Sequence, residues 1–447
     1  MSAPLFEGGP YTSPPNVDIA PSVGILGVFS HLNYEPWFAL AEYIDNALQS
    51  ALSSMEELKR LNPNYSLTVD IEYEREQGGR IVIEDNAAGI ARSDFGRAFK
   101  AAEVPPDRSG LSEFGMGMKS ASIWFARNWR VVTSSPGDPA TYSVEFDMET
   151  VLSDRLQKLE VREAEAPAGL HFTRVELWNL NQFLNGRTLG KVREHLREIY
   201  RAYLKSGQLR LTVAGLELEN ELPEILRAVD YRANDVAGIS EEVVQWRKDI
   251  SFLLGNDVVI TGWAALRAEG RTNGNGLSLF RRGRVIVGTT GAPYRPQLIY
   301  GQSNSYRSQR LFGDLTIEGL PVSHTKDGFQ WNGREEEFEE ALRRELNAEP
   351  LPLLKQAENY RARFASRAEK KRIERAGHNT AEVSKRKLPG ALEGAASQDE
   401  RRDSGDLGEA PPENAGVTRE FDFSRDFSFE HGRFTWLVTI AAVSRPA

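Results

Sequence analysis

The chain has 447 residues, a net charge of −9, 40% hydrophobic and 27% charged residues, six His and no Cys. That is the composition of an ordinary globular protein with room for two or three domains; it excludes disulfides and thiolate metal sites. It also excludes a general polycation, so any nucleic-acid contact must come from a local patch. The apolar stretch from Val23 to Phe29 is far shorter than the about 20 residues a bilayer span needs. It lacks the charged segment and cleavage site of a signal peptide, so a cytoplasmic location is expected.

Residues 1–22 are rich in Pro, Gly and Ser and read as a flexible arm. A helix is expected from Pro36, because Trp37, Leu40, Ala41, Ile44 and Leu48 recur at three- and four-residue spacing. Asn62-Pro63-Asn64 ends the helical run, and residues 67–73 and 80–84 read as a hairpin across Gly78-Gly79. Residues 91–111 are polar and short-helical, which marks a mobile lid, and helix returns over 114–125. Strands follow at 128–134, 141–147 and 171–177. Together they predict an α/β two-layer sandwich, a mixed or antiparallel sheet with helices on one face, over residues 23–185.

An α+β unit is expected at 186–350, with helix 189–205, strands at 209–213, 257–263, 276–281 and 315–318, and helix 335–346. Residues 351–387 read as a basic helical segment that either tracks nucleic-acid phosphates or is simply solvated. Residues 388–418 lack apolar periodicity and are expected to be disordered. Residues 419–447 regain aromatic and β-branched residues, as in a short strand pair.

Three short segments carry chemistry. In Glu42-Tyr43-Ile44-Asp45-Asn46-Ala47, Glu42 and Asn46 are one helical turn apart on one face. Glu42 is the candidate to orient and activate a water, and Asn46 offers Mg²⁺ a hard oxygen without adding negative charge beside a triphosphate. In Ile83-Glu84-Asp85-Asn86-Ala87-Ala88-Gly89-Ile90, Asp85 ends a strand at a turn, where a carboxylate can accept from the adenine amino group. In the third, Gly110, Gly115 and Gly117 let backbone amides approach phosphates at a helix start, with Met116, Met118 and Lys119 alongside. Lys119 either contacts phosphate or sits on the helix surface. Met118-Lys119-Ser120 is no P-loop, because the glycine before the lysine and the four-residue glycine spacing are missing.

In that order the segments resemble the GHKL superfamily, which includes type II topoisomerase subunits, the ninety-kilodalton heat-shock chaperone, histidine kinases and MutL. The resemblance implies the Bergerat ATP-binding fold, ATP hydrolysis with Mg²⁺, and an ATP-dependent homodimer. It assigns Glu42 to catalysis, Asn46 to the metal, and Asp45, Asp85, Gly89 and the phosphate loop to the nucleotide. Thr173 matches the adenine-side threonine of the family. Ala87, Ser112 and Phe172 depart from its usual glycines. Lys326, in His324-Thr325-Lys326-Asp327-Gly328-Phe329, fits the lysine that a second, transducer-type domain extends to the γ-phosphate.

Two stretches, from Glu35 to Ala47 and from Gly276 to Val287, resemble the microrchidia (MORC) branch. That likeness implies a DNA clamp or remodeller, in a restriction or defence setting with nuclease or helicase partners. A chaperone-like ATPase acting on a protein client and a non-hydrolysing nucleotide-gated dimerisation module are the alternatives. His31 has no phospho-accepting hairpin around it and reads as structural or solvent-facing.

Overall fold

In the computed structural model, the described residues are 23–100, 103, 110–111, 115–220, 222–233, 242–272, 274–289, 291–360, 424–431 and 434–441. The N-terminal arm, residues 101–102 and 104–109 of the expected lid, Ser112, the basic segment from 361 onward and the 388–418 stretch lie outside them.

The first layer is an eight-stranded sheet of order β5-β4-β3-β6-β2-β1-β7-β8. Its strands are β1 (Leu67–Glu74), β2 (Arg80–Asp85), β3 (Ala126–Ser134), β4 (Ala140–Asp147), β5 (Val161–Glu165), β6 (Phe172–Leu180), β7 (Leu209–Val213) and β8 (Leu216–Glu217). All neighbours pair antiparallel except β1 and β7. β1 shows why the pattern folds this way: Leu67, Val69 and Ile71 are buried while Asp70 and Glu72 face out, one side chain per face in turn.

The Pro36–Ser53 and Gly117–Phe125 helices pack against the sheet and against each other. The Pro36–Ser53 helix starts with Pro at its first turn, where no amide hydrogen is needed. It is buried continuously from Ala39 to Asp45, because the sheet, the Gly117–Phe125 helix and a second layer enclose it. Burying Glu42 and Asp45 this way requires compensating charge, which shapes everything that follows.

One boundary needs correcting. The segment expected to open the second unit belongs to the first. β7 pairs parallel with β1, and Val192, Leu196 and Ile199 of the Gly186–Ile199 helix join the first core. The apolar periodicity was legible there, but not which sheet it served.

The second core lies against a five-stranded sheet of order β11-β12-β15-β13-β14, formed by β11 (Arg247–Leu254), β12 (Val258–Leu266), β13 (Gly276–Arg281), β14 (Arg284–Val287) and β15 (Leu311–Glu318). A two-residue pair, β9 (Arg227–Ala228) and β10 (Val244–Gln245), precedes it. Phe338, Leu342 and Leu346 recur every four residues along the Glu335–Asn347 helix and are fully buried in this core. Residues 353–360 are helical and add Leu353, Leu354 and Ala357.

The turn between β13 and β14 places the site. Arg282 and Gly283 both have positive φ, 51° and 76°, the backbone that a two-residue hairpin turn demands. The Tyr203 hydroxyl donates to the Arg282 carbonyl at 2.6 Å, and Arg282 donates to the Gly110 carbonyl. The hairpin tip is thus pinned to the first layer, and Arg284 at the start of β14 meets Asp45 of the Pro36–Ser53 helix. Residues 424–447 contain a separate antiparallel hairpin, β16 (Ser424–His431) with β17 (Phe434–Ala441). Among the described residues no helix is long and apolar enough to cross a membrane.

Candidate functional site

A cavity of about 440 Å³ opens between the Pro36–Ser53 helix, the end of β2 and the start of the Gly117–Phe125 helix. Glu42, Asn46, Asp85, Gly89, Gly115, Met116, Gly117, Met118, Lys119, Thr173 and Lys326 all line it. Residues from the three motif segments, joined by Thr173 and Lys326, therefore meet around one space.

At one end, strand register sets the wall. Asp85 stands opposite Thr173, which in turn stands opposite Thr133. Asp85 Oδ1 accepts from the Ala87 amide at 2.9 Å, closing the turn after β2. Burial pushes the Asp85 carboxyl up to about 7, against the pull of the Ala87 and Thr173 amides. Gly89 has φ +68°, and a Cβ there would collide with the Ser134 carbonyl. Ala87 has no positive φ, so the turn does not need a glycine at that position.

At the other end, the Gly117–Phe125 helix starts against Glu42. A Cβ on Gly117 would collide with Glu42 Oε2, so only glycine brings the helix N-terminus, with its unpaired amides, so close. Lys119 is buried rather than on the helix surface, and its Nζ donates to the Ala98 carbonyl at 2.8 Å. Burial, and then the nearby Arg97, lower the Lys119 amine to about 8. Gly110 does not line the cavity: it stands against Gln49, whose Oε1 accepts from the Leu111 amide at 2.8 Å.

The charged corner joins the two sheets. Lys326 Nζ lies 2.9 Å from Glu42 Oε2 and 2.6 Å from Asp45 Oδ2. Its loop closes by the Lys326 amide donating to the Ser323 carbonyl at 3.0 Å, and Lys326 itself takes φ +54°, uncommon for a residue with a Cβ. Asp45 Oδ1 accepts from Arg284 Nε at 3.1 Å and from the Tyr200 hydroxyl at 2.7 Å. Arg284 Nη1 donates to the Lys326 carbonyl at 2.9 Å.

Burial alone would push the Asp45 carboxyl up, but Arg284 and Lys326 hold it below the usual carboxylate range. Burial likewise works against the Lys326 charge, and Asp45 and Glu42 more than reverse it. Two cations thus face two carboxylates. Glu42 Oε1 is buried with no hydrogen-bond partner among the described residues. It is a carboxylate with one oxygen restrained and the other unengaged.

Asp45 departs from its expected nucleotide-side place. On a helix of about 100° per residue, Asn46 lies about 40° to one side of Glu42 and Asp45 about 60° to the other. Asp45 is therefore turned away from the cavity, toward Tyr200 and Arg284. Those two residues were missed from the sequence. Arg284 is one of three arginines in Phe280-Arg281-Arg282-Gly283-Arg284, and only tertiary packing tells which is buried. His31 is exposed and lies outside the site.

Residues 34–176 match the family model described as histidine kinase-, DNA gyrase B-, and HSP90-like ATPase. The chain is similar to the ATPase region of Saccharomyces cerevisiae topoisomerase II at 12% identity and a TM-score of 0.41, over 72% of this chain and 85% of that one. It is also similar to that region bound to ICRF-187 (dexrazoxane), at 12% identity and 0.40, over 69% and 83%. No curated protein matches the chain.

Proposed function

We propose that this chain, whose residues 34–176 form a GHKL-type ATP-binding domain, hydrolyses ATP in a cycle switched by Lys326. The observation that carries the reading is the contact of Lys326 Nζ with Glu42 Oε2 at 2.9 Å inside the cavity. Phosphoryl transfer to water needs a positioned water, a base or orienter for it, and countercharge on the terminal phosphate. Glu42 is the water-orienting base and Lys326 the countercharge. With no nucleotide, each holds the other.

A buried cation stripped of its partners costs about 3–5 kcal/mol. Lys326 therefore leaves the carboxylates only for an anion equally well placed, such as a γ-phosphate. Its departure frees Glu42 at the moment the phosphate is gripped. The amides at the start of the Gly117–Phe125 helix and the Lys119 amine hold the remaining phosphates. Asp85 accepts from the adenine amino group beside Thr173 and Gly89.

Asn46 lines the same cavity one turn from Glu42. Its amide oxygen suits Mg²⁺, which usually keeps several waters and takes its other ligands from phosphates. The ion, when bound, supplies charge neutralisation to the triphosphate.

The likeness of residues 35–47 and 276–287 to the MORC branch supports a finer reading: an ATP-closed homodimer that clamps or remodels DNA, with the second sheet as its transducer. In that reading the basic run beyond residue 355 meets the DNA phosphates. The test is phosphate release from Mg·ATP by wild type and Glu42→Ala, with and without duplex DNA. The reading expects release that DNA stimulates and the variant lacks. Release that DNA leaves unchanged would remove the clamp, and release by Glu42→Ala at the wild-type rate would remove the assigned base.

A further inference from the structure

Arg284 is fully buried at the start of β14 and does not line the cavity. Its guanidinium nonetheless spans the joint between the sheets, donating to Asp45 Oδ1 at 3.1 Å and to the Lys326 main-chain carbonyl at 2.9 Å. Asp45 is the hub of the cluster, because Lys326, Arg284 and Tyr200 all donate to it. Among the described residues Glu42 accepts a side-chain hydrogen bond from Lys326, and its Oε1 has no partner.

The two carboxylates therefore respond oppositely when Lys326 Nζ departs. Asp45 keeps a cation and a phenol and stays neutralised; Glu42 loses its cation and becomes available to water. We propose that Arg284 is the positioning residue that makes Lys326 transferable: it compensates Asp45 and anchors the Lys326 backbone, so the lysine side chain alone moves to the terminal phosphate. The planar guanidinium fork suits this task, since one rigid group reaches two acceptors on different elements.

Without the Arg284 charge, Lys326 would be the only cation serving two buried carboxylates, and it would stay on them. The inference rests on the ATPase reading above, and the experiment separates the two. Affinities for ADP and for a non-hydrolysable ATP analogue would be measured on wild type, Arg284→Met, Lys326→Ala and the charge-neutral pair Asp45→Asn/Arg284→Met, with kcat and KM for ATP.

Wild type should prefer the triphosphate by roughly tenfold, since a charged hydrogen bond to the third phosphate is gained. Arg284→Met should lose that preference to the level of Lys326→Ala, with kcat down about tenfold and ADP affinity within about twofold. The neutral pair should regain most of the preference, because removing the Asp45 charge releases Lys326 again. Thermal melts check that each variant folds. Should Arg284→Met not fold, Arg284→Gln, which keeps a donor for the Lys326 carbonyl but not the charge, carries the same comparison. A preference untouched by Arg284→Met, or not regained in the neutral pair, overturns the assignment of Arg284 alone. Equal affinity of wild type for the two nucleotides overturns the ATPase reading and the transfer with it.

Discussion

The two ends of the cavity are built on different principles. Around Asp85 the wall belongs to one sheet: Asp85, Thr173 and Thr133 occupy paired positions on neighbouring strands, and Gly89 packs against the Ser134 carbonyl. Strand register fixes such a wall whether or not a ligand is present. Around Glu42 the corner is made of Glu42, Asp45, Arg284 and Lys326, with Lys326 lying 284 residues beyond Glu42. Ion pairs, with the Tyr200 hydroxyl on Asp45 and Arg284 on the Lys326 carbonyl, join those four charges across two sheets, and in the proposed cycle a competing anion re-sorts them. We read the first end as the recognition element and the second as the switch.

Breaking the switch should give the largest effect. Glu42→Ala is expected to lower kcat at least about a hundredfold, the usual range for loss of a general base, while leaving ATP affinity within about threefold. Phosphate release beside equilibrium nucleotide binding checks it, and an equal loss in both would make Glu42 a binding group instead. Gly117→Ala attacks the same end sterically, because its Cβ would collide with Glu42 Oε2. It should displace the base or the helix start and cost roughly 1–3 kcal/mol of stability, read as a lowered Tm together with lost turnover.

Breaking the recognition end should weaken binding without touching turnover of bound ATP. Asp85→Asn is expected to raise the Kd for adenine nucleotides about tenfold, the cost of one charged hydrogen bond. Unchanged Kd would move adenine recognition elsewhere.

The smallest effect is a pH dependence that involves both ends. Asp85, raised to about 7, is the stronger acceptor when ionised, so affinity should improve as pH rises through that value. Lys119, lowered to about 8, loses its charge above it, so affinity should decline on the alkaline side. A few-fold optimum between about pH 7 and about 8 follows, with the acid limb flattened in Asp85→Asn. Folding of the empty domain runs the other way. A carboxyl raised from 3.8 to about 7 binds its proton more tightly when folded, so its stabilisation falls as pH climbs between those values.

The same contrast explains what could be read from the sequence. The hairpin of β1 and β2, the Pro36–Ser53 helix and the glycines at 89 and 117 announce themselves through local spacing, because alternation, helical periodicity and close backbone approach are short-range demands. That Glu42 and Asn46 share a face follows from helical geometry, while their roles rest on the resemblance carried by the three ordered segments. Tyr200 and Arg284 have no such signal, since nothing local to either records a carboxylate on a distant helix. The boundary near residue 186 failed for that reason too: a strand's own pattern shows that it pairs, while the choice of β1 as the partner of β7 lies in long-range topology. Gly110 shows the converse. Its position beside the other glycines suggested phosphate, whereas its contact is with Gln49.

The most direct test of the switch is single-turnover and steady-state phosphate release by Lys326→Ala beside wild type, with Mg·ATP affinity measured on both. The account predicts kcat reduced about a hundredfold, as when a preorganised countercharge is removed, with ADP affinity unchanged and the preference for ATP over ADP abolished. A variant that turns over ATP at the wild-type rate and keeps that preference would contradict it, leaving the Lys326–Glu42 contact as a structural ion pair.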